Sequence, residues 1–473
     1  MDIEVAKKLI LKYTQGHADF IARALIADRY YAIKNDIVFR KPKYQDSYDN
    51  NGEFINGRNP LRHADNKVPF SFYQLLVNQK SSYMFTAPPL IDVKDDKLNQ
   101  YITDCLGDAF ARNCKNLCVN ASNAGVAWIH YWHDEQDGFT YAVIPSTQII
   151  PIWSTKIDHK LLAVLRVYRD IDKNGDYWDV YEYWNDTECQ AFTKPSADDF
   201  DGLKTCPLFT DFYLAGLTEA DNVLHHSYGK VPFIPFFNNG DSTSDLEPIK
   251  ALIDTYDKTF SGFVDDLEDI QQVILVLTNY GGEDMSEFMN SLKYYKTVAL
   301  DSAGDGDKSG ISTLNIEIPV EARDKLLELT RKAIFSMGQG VDPEQQSLNA
   351  TSGEAMKFLY ALLELKAGLM ETEFRLGFNE LVRAILKDCG AKVKSITQTW
   401  TRTSIRNDSE LADMCSKSVG ILSKKTILKN HPFVENAEDE EKQLEKEAQK
   451  EADLADIYQD FRGGEEDDLQ ATD

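Results

Sequence analysis

The sequence predicts a mainly α-helical α+β fold. Long segments in both halves of the chain repeat apolar residues every three or four positions, which is the period of an amphipathic helix. Between residues 125 and 192 the period changes to two, in runs rich in Val, Tyr and Trp that are typical of β-strands. The longest helical signal is an apolar stripe that begins at Leu246 and ends at Leu277.

This stripe occupies the a and d positions of a heptad repeat, with spacings that alternate between three and four. Its members are Leu246, Ile249, Ile253, Tyr256, Phe260, Phe263, Leu267, Ile270, Ile274 and Leu277. A helix of this span is about 48 Å long. Such a seam packs either as ordinary core within its own chain or against a neighbouring subunit. Ser244 and Glu247 predict a capping box at its start.

The residues before the stripe predict three helices, at 3–34, 69–86 and 96–123, followed by an antiparallel β meander. The segment VPFIPFFNN at 231–239 closes this region, and its two prolines argue against a central strand.

The residues after the stripe predict a small α/β insert at 283–319 and a helix from Pro319 to Met337. A polar loop, Gly338–Ala350, separates this helix from a third long helix that reaches Lys387. A strand, small helices and an acidic tail follow.

Composition indicates a globular protein, with 42% hydrophobic residues in 473. The sequence has no run of 18 apolar residues and no secretory signal pattern, so we expect no membrane association and a cytosolic setting or a particle assembled there. Seven cysteines without a CxxC pair argue against a disulfide framework. Cys114 and Cys118 lie one helical turn apart, and we interpret them as buried small residues rather than zinc ligands.

The formal net charge is −26. Residues 435–473 hold 16 acidic and 4 basic residues, a net charge of −12. Tight binding to DNA phosphates needs clustered Lys and Arg. A role with nucleic acid would therefore be one of passage, not of sequence-specific binding.

No motif predicts catalysis, a cofactor or a metal. Gly229-Lys230 lacks the upstream glycine and the hydroxyl of a phosphate-binding loop. The loop at Asp305–Ser309 resembles a calcium loop, but Ile316 stands where the bidentate glutamate belongs, which favours a solvated turn. His130 and His133 lie in a predicted strand and face opposite sides.

Four segments in order carry a family resemblance: FIPFFNN with DLEPIKALIDTYD, IPVEARDKLLELTRKAIFSMGQGVDP, TSGEAMKFLYALLELKAGLMETEF, and LKNHPFVENAEDE. Two long helices flank a small insert, and a glycine-bounded loop precedes a very long helix. This order resembles the portal proteins of tailed bacteriophages, of the type found in long-tailed phages of Gram-positive hosts. The resemblance covers residues 1–450 and is strongest at 231–380.

The resemblance implies a virion protein assembled in the host cytoplasm. Its copies would form a ring, typically of twelve, at one capsid vertex, through which double-stranded DNA is packaged and ejected without sequence-specific contact. Partners would be the terminase motor, a head-completion adaptor, and capsid and scaffolding proteins. The alternative is a coiled-coil scaffold or adaptor protein. A nucleic-acid enzyme is a third hypothesis, which lacks metal-ligand clusters, a nucleophile–base set and a phosphate loop.

The resemblance also implies a division of the chain into named parts. These are a wing at 1–240, a first stem helix at 244–278, a clip at 279–319, a second stem helix at 320–337, a tunnel loop at 338–351, a long wing helix and strand at 352–404, crown helices at 405–461 and a disordered acidic tail at 462–473.

Candidate functional residues follow from this division. DNA-facing candidates in the tunnel loop are Gly338, Gln339, Gly340, Gln345, Gln346 and Asn349, and partner-docking candidates in the clip are Tyr294, Tyr295, Lys296 and Lys308. Eight acids of the heptad helix would form a repulsive channel or stem surface: Asp245, Glu247, Asp254, Asp257, Asp265, Asp266, Glu268 and Asp269.

Overall fold

The computed structural model describes residues 1–42, 47–48, 54–55, 64–134, 138–171, 174–206, 222–270, 274–278, 310–314, 319–344, 353–402, 408–431, 433–434 and 440–450. The chain divides into two compact units. One consists of Met1–Asp342 and Leu362–Arg402, and the other of Pro343–Ala361 and Thr403–Asp473.

Helices and strands alternate irregularly along the chain, as expected for an α+β fold. The helices are α1 Ile3–Gly16, α2 Ala18–Tyr31, α3 Phe72–Met84, α4 Asp96–Leu106, α5 Phe110–Ala124, α6 Lys250–Ile270, α7 Val320–Met337, α8 Gly353–Asp388, α9 Asp408–Lys417 and α10 Lys424–Asn430. Residues 440–450 are also helical. The strands are β1 Ser47–Tyr48, β2 Phe54–Ile55, β3 Leu90–Asp92, β4 Val126–Asp134, β5 Gly138–Ile144, β6 Ile149–Trp153, β7 Leu161–Ile171, β8 Tyr177–Trp184, β9 Glu188–Pro195, β10 Lys204–Thr205, β11 Val223–His225, β12 Phe233–Phe237, β13 Ile274–Thr278, β14 Gly310–Leu314 and β15 Thr397–Thr399.

The predicted meander is divided between two sheets. Strands β4 and β5 form a three-stranded sheet with β12, in the order β12-β4-β5. Strands β6 to β9 pair in sequence in a second sheet, which β10 and β11 extend along β9. Pro145 and the 3₁₀ turn Ser146–Gln148 carry the chain from one sheet to the other. The prediction of a single meander was wrong at this crossing.

Strand alternation builds the core of the first unit in layers. Ala127 and Ile129 of β4 pack against helices α5 and α8, whereas Val126 and Trp128 face the six-stranded sheet. Helix α1 covers the other face of that larger sheet. Strand β12, with Pro235 in its middle, lies at an edge, as the prolines predicted.

Two segments that were each predicted to be one helix contain two helices. Residues 3–34 contain α1 and α2, which meet at His17. Residues 96–123 contain α4 and α5, because Gly107 adopts a φ of +66° that ends α4. Gly125, with φ +85°, ends α5 as the sequence indicated.

The heptad stripe does not form a single helix. Helix α6 has 21 residues, and Leu246 and Ile249 lie in the turn before it. Ile274 and Leu277 lie on β13, which pairs antiparallel with β14. The segment VILVLT explains the error, because a continuous run of apolar and β-branched residues satisfies a helical and a strand pattern equally. Strand β14 lies within the predicted α/β insert at 283–319.

A separate hydrophobic cluster joins the start of α6 to its surroundings. Leu246, Ile249 and Ile253 pack with residues of α2 and α3 and with Ile334 and Phe335 near the end of α7. Helices α6 and α7 also pack against each other. In the second unit, α9 packs against α10.

Candidate functional site

The first half of the heptad seam is covered by the chain's own residues. Leu246, Ile249 and Ile253 are buried. Tyr256 and Phe260 are half-buried and make edge-on contacts with Phe70 at ring-centroid distances of 4.7 and 4.9 Å. This half is ordinary core within one chain, which was the alternative interpretation of the seam.

The second half of the seam is less covered. Phe263 is half-buried beneath the guanidinium of Arg323, at 5.6 Å, and Leu267 is exposed. The side chains of Ile270, Ile274 and Leu277 lie outside the described residues.

One face of α6 holds an extended segment, residues 64–70, by a ladder of hydrogen bonds. The bonds run from the backbone N–H of Phe70 to Asp257, of Val68 to Ser261, of Asn66 to Asp265 and of Ala64 to Asp269, at 3.0, 3.0, 2.6 and 3.1 Å. The spacing matches, because four helical residues rise about 6 Å and two extended residues about 6.6 Å. We call this arrangement the α6 ladder.

Asp257 is the buried end of the α6 ladder. Its carboxylate also accepts a hydrogen bond of 2.6 Å from the side chain of Asn35. Burial raises the pKa of Asp257 to about 6, although the bonds from Asn35 and Phe70 favour the charged form.

Each of the other acids of this region also has a partner within the chain. Asp245 pairs with Lys80 and Lys366, Glu247 with Arg23, Asp254 with Lys250 and Tyr30, Asp266 with Arg323, and Glu268 with Asn66. The eight acids therefore fasten α6 to its neighbours. Several of the partners, such as Asn66 and the backbone N–H groups of the ladder, are uncharged, so the expectation of a repulsive surface stays a prediction.

The start of the predicted tunnel loop is packed, not free. The side-chain amide of Gln79 donates to the carbonyl of Val341 at 2.7 Å and accepts from its N–H at 3.0 Å. Arg331 makes two bonds to Asp342, and Lys366 donates to the carbonyl of Gly338 at 2.9 Å. We call residues 338–342 the loop base.

The two glycines of the loop base are needed for close packing. A Cβ on Gly340 would lie 2.1 Å from Leu76 Cδ2, and one on Gly338 would lie 2.7 Å from Leu76 Cδ1. Gln339 adopts a left-handed φ of +55° between them. Gly338 and Gly340 therefore allow the loop base to pack closely against Leu76.

The remaining candidates lie outside the described residues. These are Gln345, Gln346 and Asn349 of the predicted tunnel loop and Tyr294, Tyr295, Lys296 and Lys308 of the predicted clip. At the predicted capping box, Ser244 accepts from the N–H of Leu246, but Glu247 pairs with Arg23 instead.

A buried charged cluster that was not predicted from the sequence adjoins the loop base. Lys80 of α3 donates to Asp245 at 2.5 Å and to Asn238 at 2.7 Å. Lys366 of α8 lies 3.2 Å from the same Asp245 oxygen. Despite burial, Lys366 and Lys80 hold the pKa of Asp245 well below its usual range. The sequence did contain a sign that Lys80 is buried, because Lys80 shares a helical face with Leu76, Val77 and Met84.

The cysteine and histidine pairs lie as expected. Cys114 and Cys118 are both buried in the core. His130 is buried with Nδ1 2.9 Å from the carbonyl of Pro232, whereas His133 is exposed on the other face, 2.9 Å from Asp388. Among the described ranges, no group of three potential metal ligands occurs, and no helix is long and apolar enough to cross a membrane.

Comparisons with known proteins cover nearly the whole chain. The family model "Phage portal protein, SPP1 Gp6-like" matches residues 10–454. The portal protein of Clostridium phage phiCD119 is 40% identical over 453 residues, which span 92% of this chain and 95% of that protein. The portal protein of Bacillus phage SPP1 is 31% identical over 462 residues, which span 94% and 87% of the two chains.

More distant similarity exists to solved structures. A chain in the neck of a native gene transfer agent particle computed with C12 symmetry matches 75% of this chain and 88% of its own length, with 11% identity and a TM-score of 0.43. The family match and the two phage relatives together identify the chain as a member of the phage portal protein family of the SPP1 Gp6-like type.

Proposed function

We propose that this chain is the subunit of a homo-oligomeric ring of twelve copies at a capsid vertex. Double-stranded DNA would pass through the ring when the head is filled and when the genome is ejected. The observation that carries this proposal is the 40% identity to a phage portal protein along almost the full length of both chains. We assign the subunit a structural role and not a catalytic one.

Two exposed apolar stripes favour assembly. Leu362, Leu365, Leu369 and Leu376 are exposed on α8 at heptad spacings, and Leu326, Leu329 and Met337 are exposed on α7. Positions spaced by three, four, seven and eight fall on one helix face. An exposed stripe of this kind is costly in water and typical of a surface that another subunit covers.

The coiled-coil scaffold hypothesis has lost its main support. It required a free heptad seam, but the buried residues Leu246, Ile249 and Ile253 contact their own chain. The segment Ile274–Thr278 is a strand. No comparable observation favours a second function.

We further propose roles for the parts of the chain that the sequence analysis named. Helices α6 and α7 would be the two stem helices, and residues 279–319 would be the clip that docks a terminase motor and a head-completion adaptor. Tyr294, Tyr295, Lys296 and Lys308 remain its candidate contacts. In the tunnel loop, Gln345, Gln346 and Asn349 remain candidates for contact with DNA. Assembly in the host cytoplasm with scaffolding and capsid proteins belongs to the same proposal.

Complementation tests the packaging role. In a phage that lacks this gene, we expect heads without packaged DNA, and we expect the wild-type gene supplied in trans to restore DNA-filled heads. The measurement is nuclease-protected phage DNA per assembled head. Heads that fill normally without the gene would exclude the proposed function.

A further inference from the structure

A cavity of about 290 Å³ lies beside the loop base. Its lining includes Lys80, Asp245, Gln339 and Lys366, which come from α3, the turn before α6, the loop base and α8. We call it the loop-base cavity.

The charges in this lining do not balance. Two ammonium groups, of Lys80 and Lys366, share one carboxylate, of Asp245. The three side chains are 1%, 12% and 8% exposed, so solvent screens them little. Glu247 also lines the cavity but pairs with Arg23 at 3.0 Å. The Lys80–Asp245–Lys366 cluster thus carries one positive charge in excess.

The hydrogen-bond donors do not balance either. An ammonium group has three N–H donors. Lys80 has two acceptors, Asn238 and Asp245, and Lys366 has two, Asp245 and the carbonyl of Gly338. One N–H of each ammonium therefore has no acceptor among the described residues. The side-chain amide of Gln339 likewise makes no hydrogen bond to another described residue.

We propose that the loop-base cavity binds a small oxyanion of the phosphate class between Lys80 and Lys366. The anion would balance the excess charge and accept the remaining donors, which are otherwise costly to bury. Burial lowers the pKa of Lys366, and a bound anion would oppose that shift. The oxyanion could come from free phosphate or from the backbone of DNA. The three charged side chains belong to one subunit, and Met337 and Leu369 of the exposed stripes also line the cavity.

Thermal unfolding of the full chain tests this proposal. Tm is measured in sodium phosphate and in sodium chloride of equal ionic strength, for the wild type and for Lys366→Met. Asp245 keeps Lys80 as a partner in this variant, while the excess charge is lost. We expect phosphate to raise the wild-type Tm by about 2 to 4 °C more than that of the variant. General exclusion of phosphate from protein surfaces acts on both proteins alike.

Lys230→Met is the matched control, because it removes an exposed lysine that pairs with Glu380 at 3.0 Å. This variant should keep the full phosphate effect. Equal phosphate effects in the wild type and in Lys366→Met would overturn the proposal.

Two further measurements keep the test decisive. If Lys366→Met does not fold, calorimetric titration of the wild type with phosphate replaces it, and an absence of heat beyond dilution overturns the proposal. A short DNA duplex then replaces phosphate in the Tm measurement. A shift that depends on Lys366 identifies the DNA backbone as a source, whereas a shift with phosphate alone identifies the free anion.

Discussion

At the scale of residues, the apolar pattern of the sequence indicates that Lys80 and Lys366 are buried, but it does not show which acid they pair with. Lys80 and Lys366 each lie on a helix face with buried apolar neighbours, which predicts a buried partner acid. The identity of that acid, Asp245, could not be predicted, because it lies 165 residues from Lys80 along the chain. Apolar periodicity locates a buried face but does not show which faces meet.

Asp257 makes stability depend on pH. Because its folded pKa is raised from 3.8 to about 6, the stabilisation from its protonated form is complete below about pH 3.8 and is lost as the pH rises through about 6. We expect the unfolding free energy of the wild type, relative to Asp257→Asn, to fall by about 2 kcal/mol between pH 4 and pH 7. Urea unfolding at both pH values measures this difference.

Ser261→Ala is the control for Asp257, since it removes a bond of the same ladder without removing an ionisable group. Its effect on the unfolding free energy should be equal at both pH values. A difference between wild type and Asp257→Asn that does not change with pH would contradict the assignment to Asp257.

The close approach of Gly340 to Leu76 predicts that substitutions at these two positions have non-additive effects on the unfolding free energy. Leu76 is buried, so it cannot move aside for a Cβ at position 340. Gly340→Ala should destabilise the protein by about 1 to 3 kcal/mol. In a Leu76→Ala background the same substitution should have a much smaller effect, which denaturant unfolding of the four proteins measures. Additive effects on the unfolding free energy would show that a Cβ at position 340 does not clash with Leu76.

At the scale of elements, the periodicity of apolar residues predicted whether most segments are helices or strands, but not where they end. Strands β4, β7 and β8 were recognisable because Val, Tyr and Trp are frequent in them. The end of α6 was not recognisable, because the segment VILVLT fits both the helical and the strand period. The α6 ladder was also hidden, since Val68 and Ser261 are 193 residues apart in the sequence and neither position is unusual alone.

The loop base determines which loop deletion spares the packing of the subunit. Removal of 345–349 spares Val341 and Asp342 and their bonds to Gln79 and Arg331. We expect this deletion to leave the Tm within about 2 °C of the wild type and to reduce packaged DNA, because only the proposed DNA-facing residues are lost. Differential scanning calorimetry and nuclease-protected DNA measure the two effects.

A longer deletion, of 340–349, serves as the comparison. It removes Gly340, Val341 and Asp342 of the loop base with their bonds to Gln79 and Arg331, and it should lower the Tm further and disturb assembly. Full DNA packaging by the shorter deletion would contradict the proposed role of the loop.

At the scale of the whole molecule, the order of elements was more informative than any single residue. Two long helices around an insert, then a glycine-bounded loop and a very long helix, indicated the portal family, and the family match over 10–454 confirms it. The layered packing of α1, two sheets, and helices α5 and α8 was not predictable, because amphipathic segments do not specify which layers they join. The exposed leucines of α8 belong to the same scale, because we propose that another subunit covers them.

The central claim is that copies of this chain close into a ring. Mass photometry of the purified full-length chain, with negative-stain microscopy of the same sample, measures this most directly. We predict a hollow ring of twelve subunits, each of 53.7 kDa. A stable dimer or an extended rod at the same concentration would contradict the account.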